Sequence, residues 1–144
     1  MKIAVASDHA GFKMKQEVMK FLHEEGHIVQ DFGSYSDESS DYPDFAHPLA
    51  DAVENHDFDL GISMCGSGNG INITANKHQG IRSALCWNEE IARLARLHND
   101  ANICALPARF INTDQATEII KKFLSTGFEG GRHLRRIKKI PQNS

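Results

Sequence analysis

No apolar run in this chain approaches the ~20 residues that a helix needs to cross a membrane. The N-terminal Lys2-Ile3-Ala4-Val5-Ala6 is likewise too short and too soon polar for a secretory signal. A soluble protein without membrane partners is expected. Cysteine is scarce and odd in number, with Cys65, Cys86 and Cys104 showing no C-x-x-C spacing, which argues against a disulfide framework and against thiolate zinc. A reducing cytoplasm fits. No charge of one sign dominates, because 16 Lys and Arg face 19 Asp and Glu for a net charge of -3, so bulk electrostatics do not suggest nucleic acid. Repeats and low-complexity segments are absent. The 144 residues suffice for one domain, 1–144, that buries about 68–70% of its extended surface without staples.

What the chain does have is alternation. Short apolar strands precede helical patterns five times: Ile3–Ala6 then Phe12–Glu25; Ile28–Phe32 then Asp44–Glu54; Leu60–Met64 then Gly70–Lys77; Ile81–Cys86 then Asn88–Leu97; Ile103–Leu106 then Thr113–Leu124. Strands of this kind pair in parallel and take helices on both faces, with right-handed crossovers. The expected fold is α/β, a single-domain, doubly wound, Rossmann-like αβα sandwich on a five-stranded parallel sheet. Ligands of such sheets gather outside the carboxyl ends of the strands. There fall Ser7-Asp8-His9, Cys65–Gly70, Cys86-Trp87-Asn88 and Pro107-Ala108-Arg109. Two regions break the pattern. The polar, acidic stretch from Ser34 to Asp44 is long for a βα loop and reads as a lid or pocket wall. A basic helical tail at about 129–140 carries Arg132 and Arg136 one turn apart, either as a solvated helix or as a joint grip on one phosphate.

The densest chemical signal is Met64-Cys65-Gly66-Ser67-Gly68-Asn69-Gly70-Ile71, between a buried strand and a helix. Alternate glycines let the backbone turn sharply and bring its N–H groups close to an anion. A thiol at that strand end, beside oriented amides, can be drawn toward thiolate, the form that acts as base or nucleophile. A compact turn with a small buried Cys is the plainer alternative. Dinucleotide binding is disfavoured, since the spacing is G-x-G-x-G and the strand Ile81–Leu85 ends without an acid for a ribose.

Several further motifs occur in order: Ser7-Asp8-His9-Ala10-Gly11, Asp41-Tyr42-Pro43-Asp44, Ala75-Asn76-Lys77, Gly80-Ile81-Arg82, His98-Asn99-Asp100-Ala101-Asn102 and Gly130-Gly131-Arg132-His133. With the Cys65–Ile71 loop, they make the whole chain resemble the type B ribose-5-phosphate isomerases, a family that also holds the galactose-6-phosphate isomerase subunits. The resemblance implies a metal-independent aldose–ketose isomerase without cofactor. It would interconvert ribose 5-phosphate and ribulose 5-phosphate, in the pentose phosphate pathway, through an enediolate. It also implies a homodimer with shared active sites, or a tetramer of the same units.

Carried over by position, Cys65 matches the base that moves a proton between C1 and C2, with the amides of Gly66, Gly68, Asn69 and Gly70 near the enediolate oxygens. Ser67 stands where relatives carry Thr and keeps the hydroxyl. His98 matches the residue that opens the furanose ring, a task suited to an imidazole, and Asn99 a contact to sugar oxygens. Asp8 matches a sugar-hydroxyl ligand, with a helix N-cap as its structural alternative, and Tyr42 a pocket-lining aromatic. Phosphate falls to His9, Arg132 and Arg136, with Arg109 as a partner, although Pro107-Ala108-Arg109 departs from the Gly-rich turn common before that Arg. Cys86, Cys104 and Trp87 are assigned mainly to packing, with pocket lining as the alternative for Trp87, and His23, His27, His47, His56 and His78, which lack partners at ligand spacing, to the surface. Three alternatives stay open: an allose or galactose 6-phosphate isomerase, a non-catalytic phosphosugar-binding module, and a metal site from Asp8, His9 and His98.

Overall fold

In a computed structural model of the chain, residues 1–142 are described. The strands are β1 (Lys2–Ser7), β2 (Ile28–Asp31), β3 (Leu60–Cys65), β4 (Ser83–Leu85) and β5 (Ile103–Pro107). The helices are α1 (Phe12–Glu24), α2 (Pro43–Glu54), α3 (Asn69–Ala75), α4 (Glu89–Asn99), α5 (Thr113–Ser125) and α6 (Arg132–Ile137). All strands run parallel in the order β2-β1-β3-β5-β4, the expected five-stranded doubly wound sheet.

Alternation along β1 explains the two layers. Ile3 and Val5 join one cluster with Met14, Val18 and Leu22 of α1 and Ile119, Ile120 and Phe123 of α5. Ala4 and Ala6 point the other way, toward Leu49, Ala50 and Val53 of α2. Strands buried on both faces cannot alternate with polar residues, and the three central strands β1, β3 and β5 are apolar throughout apart from the exposed Lys2 at the start of β1 and the buried Ser7 and Ser63. Asn112 and Gln115 exchange hydrogen bonds of 2.8 Å with each other's backbone and start α5. Asn88 caps α4 through the Ile91 N–H at 2.9 Å.

Most boundaries shift by one or two residues, and two of the shifts bear on the site. The strand read as Ile81–Cys86 is only Ser83–Leu85, because the Ile81 N–H turns back to the His78 carbonyl at 3.0 Å and the Arg82 N–H goes to the Asn102 side chain at 2.8 Å. The helix read as ending at Leu97 continues to Asn99, so His98 and Asn99 lie in its last turn. Trp87, read as packing, is 55% exposed. No helix among the described residues is long and apolar enough to cross a membrane.

The order of the strands locates a crevice. α1 leaves β1 for β2 on one face and α2 leaves β2 for β3 on the other, so the chain switches direction between β1 and β3. The loops after those two strands diverge there and leave room for a ligand.

Candidate active site

Cys65 ends β3 at this switch point, 95% shielded from solvent and opposite Pro107 of β5. Its carbonyl accepts from the Ala108 N–H and that of Gly66 from the Arg109 N–H, both at 2.9 Å, so the turn after β5 is laced to the loop after β3. Gly68 closes the loop at φ +78°, and a Cβ there would lie 3.2 Å from the Leu106 backbone and collide with Leu85. Only glycine satisfies both demands. Among the described residues, the N–H groups of Gly66, Ser67 and Gly68 donate to no protein acceptor. The exposed Ser67 hydroxyl accepts from the backbone and side-chain nitrogens of Asn69, at 3.3 and 3.2 Å, which leaves its own proton free to donate.

Other segments close in on the loop. The Tyr42 ring covers Gly70 so tightly that a Cβ there would come within 2.5 Å of it. The Arg109 side chain lies over Gly66, 3.1 Å from where a Cβ would sit. Asp8 is buried and spends one oxygen as a cap, accepting from Ala10 and Gly11 at 2.9 and 3.2 Å. The cap alternative raised for Asp8 is therefore realised. His9 follows it and is paired with Ser40 of the 34–44 loop, a pairing the sequence did not signal although the loop was read as a lid or pocket wall.

His98, Asn99, Arg132 and Arg136 are not in this group. Each crossover helix runs back antiparallel to its strands, so α4 begins near the Cys65 rim and ends at the opposite end of the sheet, about 16 Å away at 1.5 Å per residue. Asn102, three residues beyond Asn99, bonds to Gly61 and Arg82 at the starts of β3 and β4, which confirms the placement. There Glu129 donates its N–H to the Leu97 carbonyl at 3.0 Å, and His133 of α6 stacks on His98 with centroids 4.3 Å apart and planes 14° apart. α6 buries His133 and Ile137 and leaves Arg132 and Arg136 exposed on successive turns. His133 is held below the ordinary imidazole range by burial first, then by His98 and Arg132, with Glu129 opposing. A cavity of about 460 Å³ at this end is lined by Asn76, His78, Arg82 and Asn99 and by no residue of the Gly-rich loop.

Within one chain the metal alternative does not assemble, because His98 is at the far end from Asp8 and His9. Two other clusters hold donor atoms close together, His98 with Glu129 and His133, and Asp51 with Glu54 and His78. In the first, the two imidazole rings are stacked nearly parallel. His47 and His78, read as surface residues without partners at ligand spacing, face each other with ring nitrogens 2.8 Å apart, and His78 is half-buried. Cys104 is held well above the ordinary thiol range by its buried neighbour Cys86 and by desolvation, which leaves both as packing.

Comparison with known proteins places this arrangement. Residues 3–140 match the family model described as Ribose/Galactose Isomerase. Ribose-5-phosphate isomerase B of Escherichia coli strain K12 is 42% identical over 139 residues, covering 96% of this chain and 93% of that protein. The crystal structure of a ribose 5-phosphate isomerase from Thermotoga maritima superposes with a TM-score of 0.96 at 51% identity, covering 97% of both chains. The ribose-5-phosphate isomerase B of Mycoplasma genitalium, solved with bound ribulose-5-phosphate, gives a TM-score of 0.92 at 45% identity, over 96% of this chain and 93% of that one.

Proposed function

The chain belongs to the ribose/galactose isomerase family, and we propose a division of labour for the reaction it catalyses, the interconversion of ribose 5-phosphate and ribulose 5-phosphate. Cys65, as thiolate, takes the proton from C2 of the open-chain aldose. The C2–H electron pair forms the C1–C2 double bond and the carbonyl pair moves onto O1, giving the enediolate. The same thiol returns its proton to C1, and transfer of the O2 proton to O1 leaves the C2 carbonyl and C1 hydroxyl of the ketose. The negative charge that develops on oxygen meets the unpaired N–H groups of Gly66, Ser67 and Gly68 and the Ser67 hydroxyl. Donors fixed in advance at a shielded site need no reorganisation when the charge appears, and loss of one costs ~10²–10³ in rate. Asp8 and Tyr42 line the sugar, and His9 and Arg109 meet the phosphate.

The other half of the machinery comes from a second copy in a homodimer. His98 opens the ring, Asn99 contacts the sugar, and Arg132 with Arg136 completes the phosphate grip. The separation of about 16 Å within one chain supports this reading, because no side chain spans it. So do the exposed Tyr42, Trp87 and Phe110 around the rim, apolar surface suited to cover by a partner. A cytoplasmic location agrees with the three unpaired cysteines.

The observation that carries the function is the shielded Cys65 beneath a loop of free amides, at the switch point of a sheet shared with a ribulose 5-phosphate-bound relative. The test is turnover of ribose 5-phosphate against allose and galactose 6-phosphates, for the native chain and Cys65→Ala. Ribose 5-phosphate should be preferred and Cys65→Ala inactive with binding retained. Near-normal kcat in Cys65→Ala would refute the assignment of the base.

A further inference from the structure

We propose that Ser40 is a positioning residue of the phosphate site, gripping His9 through a reciprocal pair of hydrogen bonds that leaves Nε2 as the free donor of the ring. The inference rests on the reading of His9 as a phosphate ligand. The Ser40 backbone N–H donates to His9 Nδ1 at 3.1 Å, and the His9 backbone N–H donates to Ser40 Oγ at 3.1 Å. A ring nitrogen that accepts from an amide carries no proton, so the neutral imidazole must hold its hydrogen on Nε2. The opposite tautomer would set two N–H groups against each other and present a lone pair to the ligand, which repels a phosphate dianion.

The loop that carries Ser40 is itself anchored. At its root, Ser34 donates to the Ser7 carbonyl and Ser7 to the Gly33 carbonyl, both at 2.7 Å. The fully buried Lys15 of α1 donates to Asp31 at 2.7 Å and to the Ser34 carbonyl, and the Asp31 carboxylate also takes the Gly33 N–H at 2.8 Å. An ammonium that has lost its water must find such partners, and these join α1, β2 and the loop into one unit. At its far end the Tyr42 ring rests on Gly70. Ser40 is thus presented from a segment fixed on both sides, which accounts for a stretch that is long, polar and ordered. A loop built this way aims His9 as well as walling the pocket.

The test uses the intact protein, with Ser40→Ala removing the acceptor, Ser40→Pro removing both bonds, and Ser40→Thr retaining both. Nitrogen-15 NMR of the His9 ring reads the tautomer directly, and titration with inorganic phosphate reads the grip. The native chain should show the Nε2–H form. Ser40→Ala should raise the phosphate Kd and the KM for ribose 5-phosphate roughly threefold and Ser40→Pro roughly tenfold, with kcat little changed and Ser40→Thr close to native. An Nδ1–H form in the native chain overturns the proposal. So does an unchanged tautomer and phosphate affinity in Ser40→Pro. If instead His9→Ala leaves phosphate affinity intact, the reading of His9 as a ligand fails, and the proposal with it, even when the native tautomer is Nε2–H.

Discussion

The two ends of the sheet are built by different means. At the Cys65 end, backbone groups do the positioning: carbonyls of Cys65 and Gly66 hold the turn after β5, Gly68 allows the tight loop, and Asp8 caps its own turn. At the other end, side chains do it: His98 stacks on His133, Glu129 faces both, and the six-residue α6 rests on only two buried residues. At the first end peptide groups carry most of these bonds, joined by the Asp8 and His9 side chains. The second end combines the buried His133 with the exposed or half-exposed His98, Glu129, Arg132 and Arg136. Oxyanion stabilisation demands donors fixed in advance, which the first end offers.

Mixing two inactive variants puts the largest effect on this comparison. Cys65→Ala and His98→Asn should each lose most turnover with ribose 5-phosphate. Unfolded together and refolded, they should recover about a quarter of native activity, since half of the dimers carry one intact shared site out of two. No recovery would mean that each chain completes its own site.

The exposed arginines come next. Charge-assisted bonds of ~1.5–3 kcal/mol predict a rise in KM of roughly one to two powers of ten for Arg132→Ala or Arg136→Ala. Arg135→Ala, Lys138→Ala and Lys139→Ala should be nearly silent. Uniform small changes in all five would reduce the tail to general electrostatic attraction.

Glycine substitutions sharpen the contrast in rigidity. Gly68→Ala meets both a left-handed backbone and the Leu106 main chain, so a loss of about 2–4 kcal/mol is expected in denaturant melts. Gly130, at φ +77°, has nothing within 4 Å of a Cβ, and Gly130→Ala should cost only the backbone strain of about 1 kcal/mol. Equal losses would contradict the picture of a packed end and an open one.

The smallest effect is in pH dependence. Because His133 binds its proton less readily when folded than when unfolded, the unfolded chain takes up more protons on acidification. Its contribution is present above the ordinary imidazole value and is lost as pH falls through the lowered native one. Melting midpoints of the native chain followed over roughly pH 5 to 8 should fall on the acid side, and His133→Asn should flatten that slope. An unchanged slope would show that acid sensitivity arises elsewhere.

Much of this was legible in the residues. Strand and helix periods in Ile3–Ala6, Leu60–Met64 and Thr113–Leu124 gave the layers, and the position of Cys65, Asp8 and Arg109 after strands put them on one rim. The helical tail and the Arg132 and Arg136 pair were visible as spacing. What the spacing of motifs could not convey was that His98 and Cys65 belong to opposite ends, since proximity in a list of motifs is not proximity in space. Nor did Ser40, Glu129 or His133 carry a local signature, although Ser40 lies in a stretch already marked by its length and His133 in the Gly130–His133 motif.

By itself the sequence determined the class of fold and the chemistry available on the rim, because helix and strand periods and Gly-rich turns are local properties that a few neighbouring residues satisfy. Tertiary structure alone decided which distant groups meet. The order β2-β1-β3-β5-β4, the burial of Lys15 against Asp31, the Tyr42 ring on Gly70 and the His9 clamp each join residues far apart in the chain. Such contacts form only when the whole core closes, since loop entropy opposes each one until many form together.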